Sequence, residues 1–234
     1  MKREGLEYQT RGQFAGHETF PLRLLWLKKS FEAVGEGAPS RLFREQRVIS
    51  LFGVGRNMAA SMRYWALASG FFVENDRQIK ATELGAAILS DRGFDPYLEQ
   101  PATVWLVHWH LASTPEMTTT TYYAFNTLTT IEFDPSGLID DLLDLVASKG
   151  WRATRGTLKR DVEVFLRGYV RGGDLLNEDA AEPLLAELGL VREARLGGWY
   201  EFVRGPKPTL ADGIFAYALE IFLATRRLWG DPDS

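Results

Sequence analysis

The chain has 234 residues, 45% of them apolar and 12% aromatic, enough for one large core or two smaller ones and too apolar for a disordered tail. It contains no cysteine, which excludes a disulfide framework, a thiol nucleophile and any thiolate metal site. The net charge of −4 is unevenly spread: residues 1–64 carry 11 Lys/Arg against 6 Asp/Glu, and the remainder carries 16 against 25.

In residues 1–40, polar residues precede Arg11 without an apolar run, so no secretory leader is expected. Gly16-His17-Glu18-Thr19-Phe20-Pro21 then precedes an apolar helix predicted over Leu22–Phe31. Glu18 is placed to cap a helix entered at Pro21, with Phe20 stapling it to the core. The rival reading makes His17 and Glu18 an acid–base pair, and the capping and docking role is preferred.

Residues 41–92 carry the most informative pattern. Leu42–Phe52 reads as a helix, Gly53-Val54-Gly55 as a tight turn, and the stretch to Gly70 as a second helix. At about 100° per residue, Met58, Ala59, Met62, Trp65, Ala66 and Ser69 share a core face. Arg56, Asn57, Ala60, Arg63 and Tyr64 share the other, with Leu67. Arg and Asn match the paired donors and acceptors of guanine and adenine edges, and the small Ala60 permits close approach to a groove. Arg44 and Arg47 are placed for phosphate. Phe71–Val73 and Gln78–Ala81 read as a hairpin around Asn75-Asp76, and Thr82 can cap a helix over Glu83–Leu89.

Residues 93–137 read as a helical connection, with a turn at Asp95-Pro96 and an aromatic helix starting at Pro101. Thr118–Thr121 fits either a solvated turn or the start of a helix. Residues 138–204 follow a similar plan to 41–92. A helix over Leu138–Ser148 leads to one capped by Thr154, running to about Val170, whose outer side carries Arg155, Lys159 and Arg160. A polar loop at Gly172–Asp179 and a helix over Ala180–Leu188 follow. Leu190–Leu196 and Trp199–Val203 then pair across Gly197-Gly198. In residues 205–234, Leu210–Trp229 holds Asp212, Glu220, Arg226 and Arg227, so it reads as a buried or docking helix and not a membrane span, with Thr209 and Asp212 as caps. The fold class expected is α+β: mainly helical, with small hairpins and two winged-helix-like modules joined by a helical middle segment.

Catalytic patterns are sparse. On a helix, His108 and His110 point about 200° apart, and no HExxH motif accompanies them, so neither metal nor cofactor is expected. Gly53-Val54-Gly55 lacks the third glycine and lysine of a phosphate cradle. Asp140, Asp141 and Asp144 are most simply the wet side of a helix. No catalytic residue is assigned.

Taken together, Phe14–Pro21, Gly53–Met58, Arg63-Tyr64-Trp65, Asp95–Glu99, Trp105–Trp109, Thr157–Val162 and Phe215–Leu219 resemble the bacterial and archaeal family called domain of unknown function 4007. The resemblance implies company with DNA-phosphorothioation and phage-defence genes. It supplies no catalytic residues, and it leaves the role of His17 and Glu18 open. The expectation is a cytoplasmic, non-enzymatic DNA-binding protein with DNA and other defence proteins as partners. So small a basic surplus predicts weak, salt-sensitive binding unless a homodimer or a partner enlarges the surface. The alternative is an adaptor using the same modules as protein-docking surfaces, and a nuclease ranks below both.

Overall fold

The computed structural model describes residues 11–171, 183–195 and 197–229. Its first helix, α1 (Trp26–Val34), starts later than the apolar pattern predicts. The backbone at Leu22 and Arg23 is committed elsewhere: Arg23 bridges to Pro183, and the Leu184 N–H donates to the Leu22 carbonyl. The cap is also different, for α1 enters from Leu25 with no side-chain hydrogen bond. Glu18 is therefore not its cap.

After α1 come β1 (Ala38–Pro39), a 3-10 turn (Ser40–Arg44), α2 (Gln46–Phe52) and α3 (Arg56–Ala68). The single helix expected over Leu42–Phe52 is broken at Glu45, whose backbone is extended. Gly53 ends α2 in the left-handed region at φ 66°, where a side chain would be strained. The hairpin β2 (Phe72–Asn75) and β3 (Gln78–Ala81) turns through Asp76 and Arg77, and β1 adds to it in the antiparallel order β1-β3-β2. Thr82 caps α4 (Glu83–Leu89) as expected, its hydroxyl oxygen accepting the Gly85 N–H at 3.0 Å.

The middle contains α5 (Pro101–Ser113) and α6 (Thr119–Asn126). Thr118–Thr121 thus opens a helix, and all four threonines are buried. They survive burial because their hydroxyls are satisfied, as where Thr118 donates to the Leu111 carbonyl at 2.6 Å and Thr119 to Pro115 at 2.7 Å. Beyond lie β4 (Glu132–Phe133), α7 (Pro135–Ser148), α8 (Arg155–Tyr169), a 3-10 turn (Leu184–Leu188), β5 (Val191–Glu193) and β6 (Tyr200–Phe202). Asp134 caps α7 and Thr154 caps α8. The polar loop expected at Gly172–Asp179 lies outside the described residues. So does the start of the helix expected at Ala180, and its described part is the 3-10 turn.

The second sheet has the antiparallel order β4-β6-β5. Both halves therefore use one plan: a helix, a two-residue strand, two helices and a hairpin whose last strand pairs with the short one. The fold is mixed α+β and mainly helical, with one continuous apolar core running from Leu22 to Val191. Among the described residues no helix is long and apolar enough to cross a membrane.

The last helix, α9 (Asp212–Trp229), lays Ile214 and Tyr217 against that core. Just before it, the Thr209 hydroxyl oxygen accepts the Trp105 indole N–H at 3.0 Å. Phe215, Leu219 and Leu223 remain exposed.

Two histidines of α5 are enclosed. The His108 ring sits edge-on to Trp105, Phe125 and Tyr169, with Nδ1 2.9 Å from the Tyr169 hydroxyl. Burial lowers its pKa to about 3 and that of His110 to about 4. Both values lie below that of an unfolded imidazole, so the unfolded chain binds more protons as pH falls from about 6.5. Stability present above that pH should decline on acidification, each ring contributing a slope approaching about 1.4 kcal/mol per pH unit. Urea midpoints measured at pH 7 and near 5 should fall accordingly, and a flat profile would show that the rings are wet.

Candidate nucleic-acid interface and the motif loop

At the start of α3, Arg56 and Asn57 are both exposed, with Ala60 half-buried one turn on. Arg63, a further turn along, is half-buried and ion-paired to Glu74 of β2, which ties the helix to its hairpin. Tyr64 departs from the expectation. It is 7% exposed, and its hydroxyl donates to the Met117 carbonyl at 2.7 Å. At Tyr64 the side of α3 assigned to a groove is covered by the motif loop at Gly16 and by Met117. Tyr64 is an interior residue. Burial, reinforced by Asp161, pushes its phenol pKa well up, so it stays protonated.

Arg44 and Arg47 are exposed, the latter 3.0 Å from Glu45. Beside them a cleft of about 580 Å³ opens between the Ser40–Arg44 turn and the hairpin, lined by Arg41, Arg44, Arg63 and Arg77 with Glu74 and Asp76. Arg41 and Arg77 escaped the sequence reading. Arg77 stands at the hairpin tip, and only the assembled sheet brings that tip to the turn.

On α8, Arg155, Lys159 and Arg160 are exposed as expected. Arg155 pairs with Asp140 of α7, Lys159 lies 3.9 Å from Glu163, and Arg160 donates to the Gly156 carbonyl. Such exposed pairs are worth little in water and can be exchanged for phosphate contacts. Next to the start of α8 an open groove of about 690 Å³ is lined by Arg11, Trp151 and Arg152.

The motif loop does something different from either sequence reading. His17 is buried, yet its partner is Asp161 of α8, with Nε2 to Oδ1 at 2.9 Å. The Thr19 N–H donates to Nδ1 at 3.2 Å, so Nε2 is the nitrogen that carries the proton toward Asp161. Asp161 also accepts the Ala15 N–H at 2.7 Å and the Thr120 hydroxyl at 3.2 Å. The imidazole stacks on Trp65 at 6.2 Å between centroids. Trp65 in turn donates its indole N–H to the Phe20 carbonyl at 2.9 Å. Gly16 allows this closeness, because a Cβ there would sit 2.5 Å from the Tyr64 ring. Glu18 is exposed and turned away at φ 47°.

The loop therefore joins α3, α6 and α8. The cavity at its centre, lined by His17, Tyr64, Trp65 and Asp161, measures about 30 Å³, roughly the volume of one water. No substrate fits there. Among the described residues, no group of three or more His, Asp or Glu converges as a metal site would require.

Two helical units of one plan, each with a small three-stranded sheet and cross-braced by a loop with a buried histidine, define the class of this α+β protein. The chain belongs to the family of proteins of unknown function DUF4007, whose model matches residues 14–227. A search of curated proteins gives no match. Two solved structures are similar. One, described as an SspB crystal structure, is 30% identical with a TM-score of 0.81, and the match covers 91% of this chain and 66% of that one. The other, described as magnesium ion-bound SspB, is 29% identical at the same TM-score and coverage. The chain thus spans about two thirds of their length.

Asp161→Ala should destabilise the protein by about 3 kcal/mol or more, because it orphans the Ala15 N–H and the His17 ring together. Trp65→Ala should cost about 3–5 kcal/mol through lost packing. Glu18→Gln should leave the melting temperature unchanged. Thermal melts of the three variants check this ranking, and an unfolding effect from Glu18→Gln would refute it.

Proposed function

We propose that this protein binds duplex DNA without cleaving it, as one component of a bacterial DNA-modification and defence system. The observation that carries the reading is the pair Arg56 and Asn57, exposed at the first turn of α3 beside the arginine-lined cleft. The order helix, strand, two helices and hairpin is that of a winged helix, in which the second of the paired helices enters the major groove. In this reading Arg56 and Asn57 face base edges. Arg44, Arg47, Arg41 and Arg77 hold phosphates, and Ala60 keeps the helix surface low. Arg63 braces the hairpin against α3. The second unit, from α6 to β6, has the same order of elements, so Arg155, Lys159 and Arg160 form a second, weaker contact. The likeness to the SspB structures supports the setting.

A second reading has one specific observation behind it. A relative is described as magnesium-bound, which favours metal-dependent cleavage of DNA. A mobility-shift titration separates the readings when repeated with magnesium and followed for strand breaks. Binding without breaks supports ours, and magnesium-dependent breaks overturn it.

Arg56→Ala and Asn57→Ala should each weaken specific binding by about 1–3 kcal/mol with unchanged melting temperatures. Arg44→Ala should weaken binding to all sequences alike and lower the salt slope by about one. Normal binding by both α3 variants would remove this helix as the reader.

A further inference from the structure

We infer that the two units share one continuous track for the phosphate backbone of a duplex. It runs from the arginine-lined cleft of the first unit, over residues 11–14 just before the motif loop, to the start of α8. The inference rests on the DNA reading and brings three further residues into it, Arg11, Gln13 and Arg152.

The continuity comes from a hollow of about 600 Å³ that lies between the two concavities already described, walled by Leu67 of α3, Val73 of β2 and Met117. It shares Arg63, Glu74, Asp76 and Arg77 with the cleft, and Gln13 with the groove beside Trp151. Gln13 is held at this joint by its backbone N–H, which donates to the Thr119 hydroxyl oxygen at 2.9 Å. The three hollows are thus sections of one furrow that crosses from the first unit to the second.

Charge selects the occupant. Six arginines line the furrow against three carboxylates, Glu74, Asp76 and Glu116, in a chain whose net charge is −4. Glu74 is engaged by Arg63. Among the described residues, the other five arginines (41, 44 and 77 at one end, 11 and 152 at the other) are exposed and make no ion pair, so they are available to phosphates along the whole length. The aromatic side chains in the walls favour a duplex over a single strand. Tyr64 and Phe72 are buried, and the half-buried Trp151 is closed on one side by Gly12, where a Cβ would lie 2.5 Å from the ring. Unpaired bases therefore find little to stack on.

The test titrates a labelled random-sequence duplex, long enough to span both units, over a range of salt. Arg11→Ala and Arg152→Ala should each lower the salt slope by about one, as Arg44→Ala does at the far end. Gln13→Glu adds a negative charge at the joint and should weaken binding as well. Arg192→Ala removes an exposed arginine that lines none of the furrow and should bind like the parent. Melting temperatures should be unchanged in all five variants. A loss in Arg44→Ala with parent-like binding by the Arg11 and Arg152 variants overturns the track and leaves the DNA reading standing. So does a Gln13→Glu protein that binds normally, since the ends would then act as separate sites. An equal loss in Arg192→Ala would assign the effect to overall charge and overturn the track, as would tighter binding of a single strand than of the duplex. A parent that binds no DNA overturns both readings.

Discussion

The carboxylate of Asp161 is the interaction on which the arrangement of this molecule depends. It is buried on α8, and its bonds reach residues 144 to 146 positions away in the motif loop and 41 positions away in α6. A buried charge without partners is strongly unfavourable, so the loop, the imidazole and the threonine must assemble around it together. Trp65 extends the same brace to α3. The two helical units are consequently set at a fixed spacing and angle by polar bonds, over and above the apolar core they share. This explains why a motif containing a histidine and a carboxylate need not be catalytic. Its histidine works against a different acid from the one beside it in sequence.

The electrostatics follow from the same arrangement. With a net charge of −4, the molecule can present a positive face only by concentrating its arginines. Folding does this by bringing the Ser40–Arg44 turn alongside the β2–β3 hairpin, which gathers Arg41, Arg44, Arg63 and Arg77 around one cleft. The second unit has an equivalent row on α8, yet Asp140 and Glu163 sit among its cations. The cleft of the first unit likewise holds Glu74 and Asp76 beside its four arginines.

Much of this was legible beforehand. The phase of α3, the caps at Thr82 and Thr154, the β2–β3 hairpin and the closing hairpin rest on local rules of periodicity and turn chemistry. The strands β1 and β4 were not legible. At two residues each they have no alternation to read, and only pairing with a distant hairpin defines them. Tyr64 was misplaced because helical phase tells which side a residue is on but not what covers that side. Its covering comes from the motif loop at Gly16 and from Met117, both remote in sequence. The partner of His17 was hidden for the same reason. Asp161 sits on an amphipathic helix among charged neighbours, and nothing nearby marks it as the one carboxylate turned inward.

The tip of the first hairpin shows a choice of residue that stability alone would not make. Asp76 and Arg77 have φ of 50° and 61°, a left-handed pair of the kind that two-residue hairpin turns demand. Aspartate tolerates this region, but arginine does not, and glycine at the second position would be easier by about 1 kcal/mol. The hairpin nevertheless places a long cationic side chain at this left-handed position. Residues held against their backbone preference tend to collect where activity, and not folding, selects them. Arg77 thus carries a backbone strain that a glycine would relieve, and that strain is what holds a guanidinium at the edge of the arginine-lined cleft.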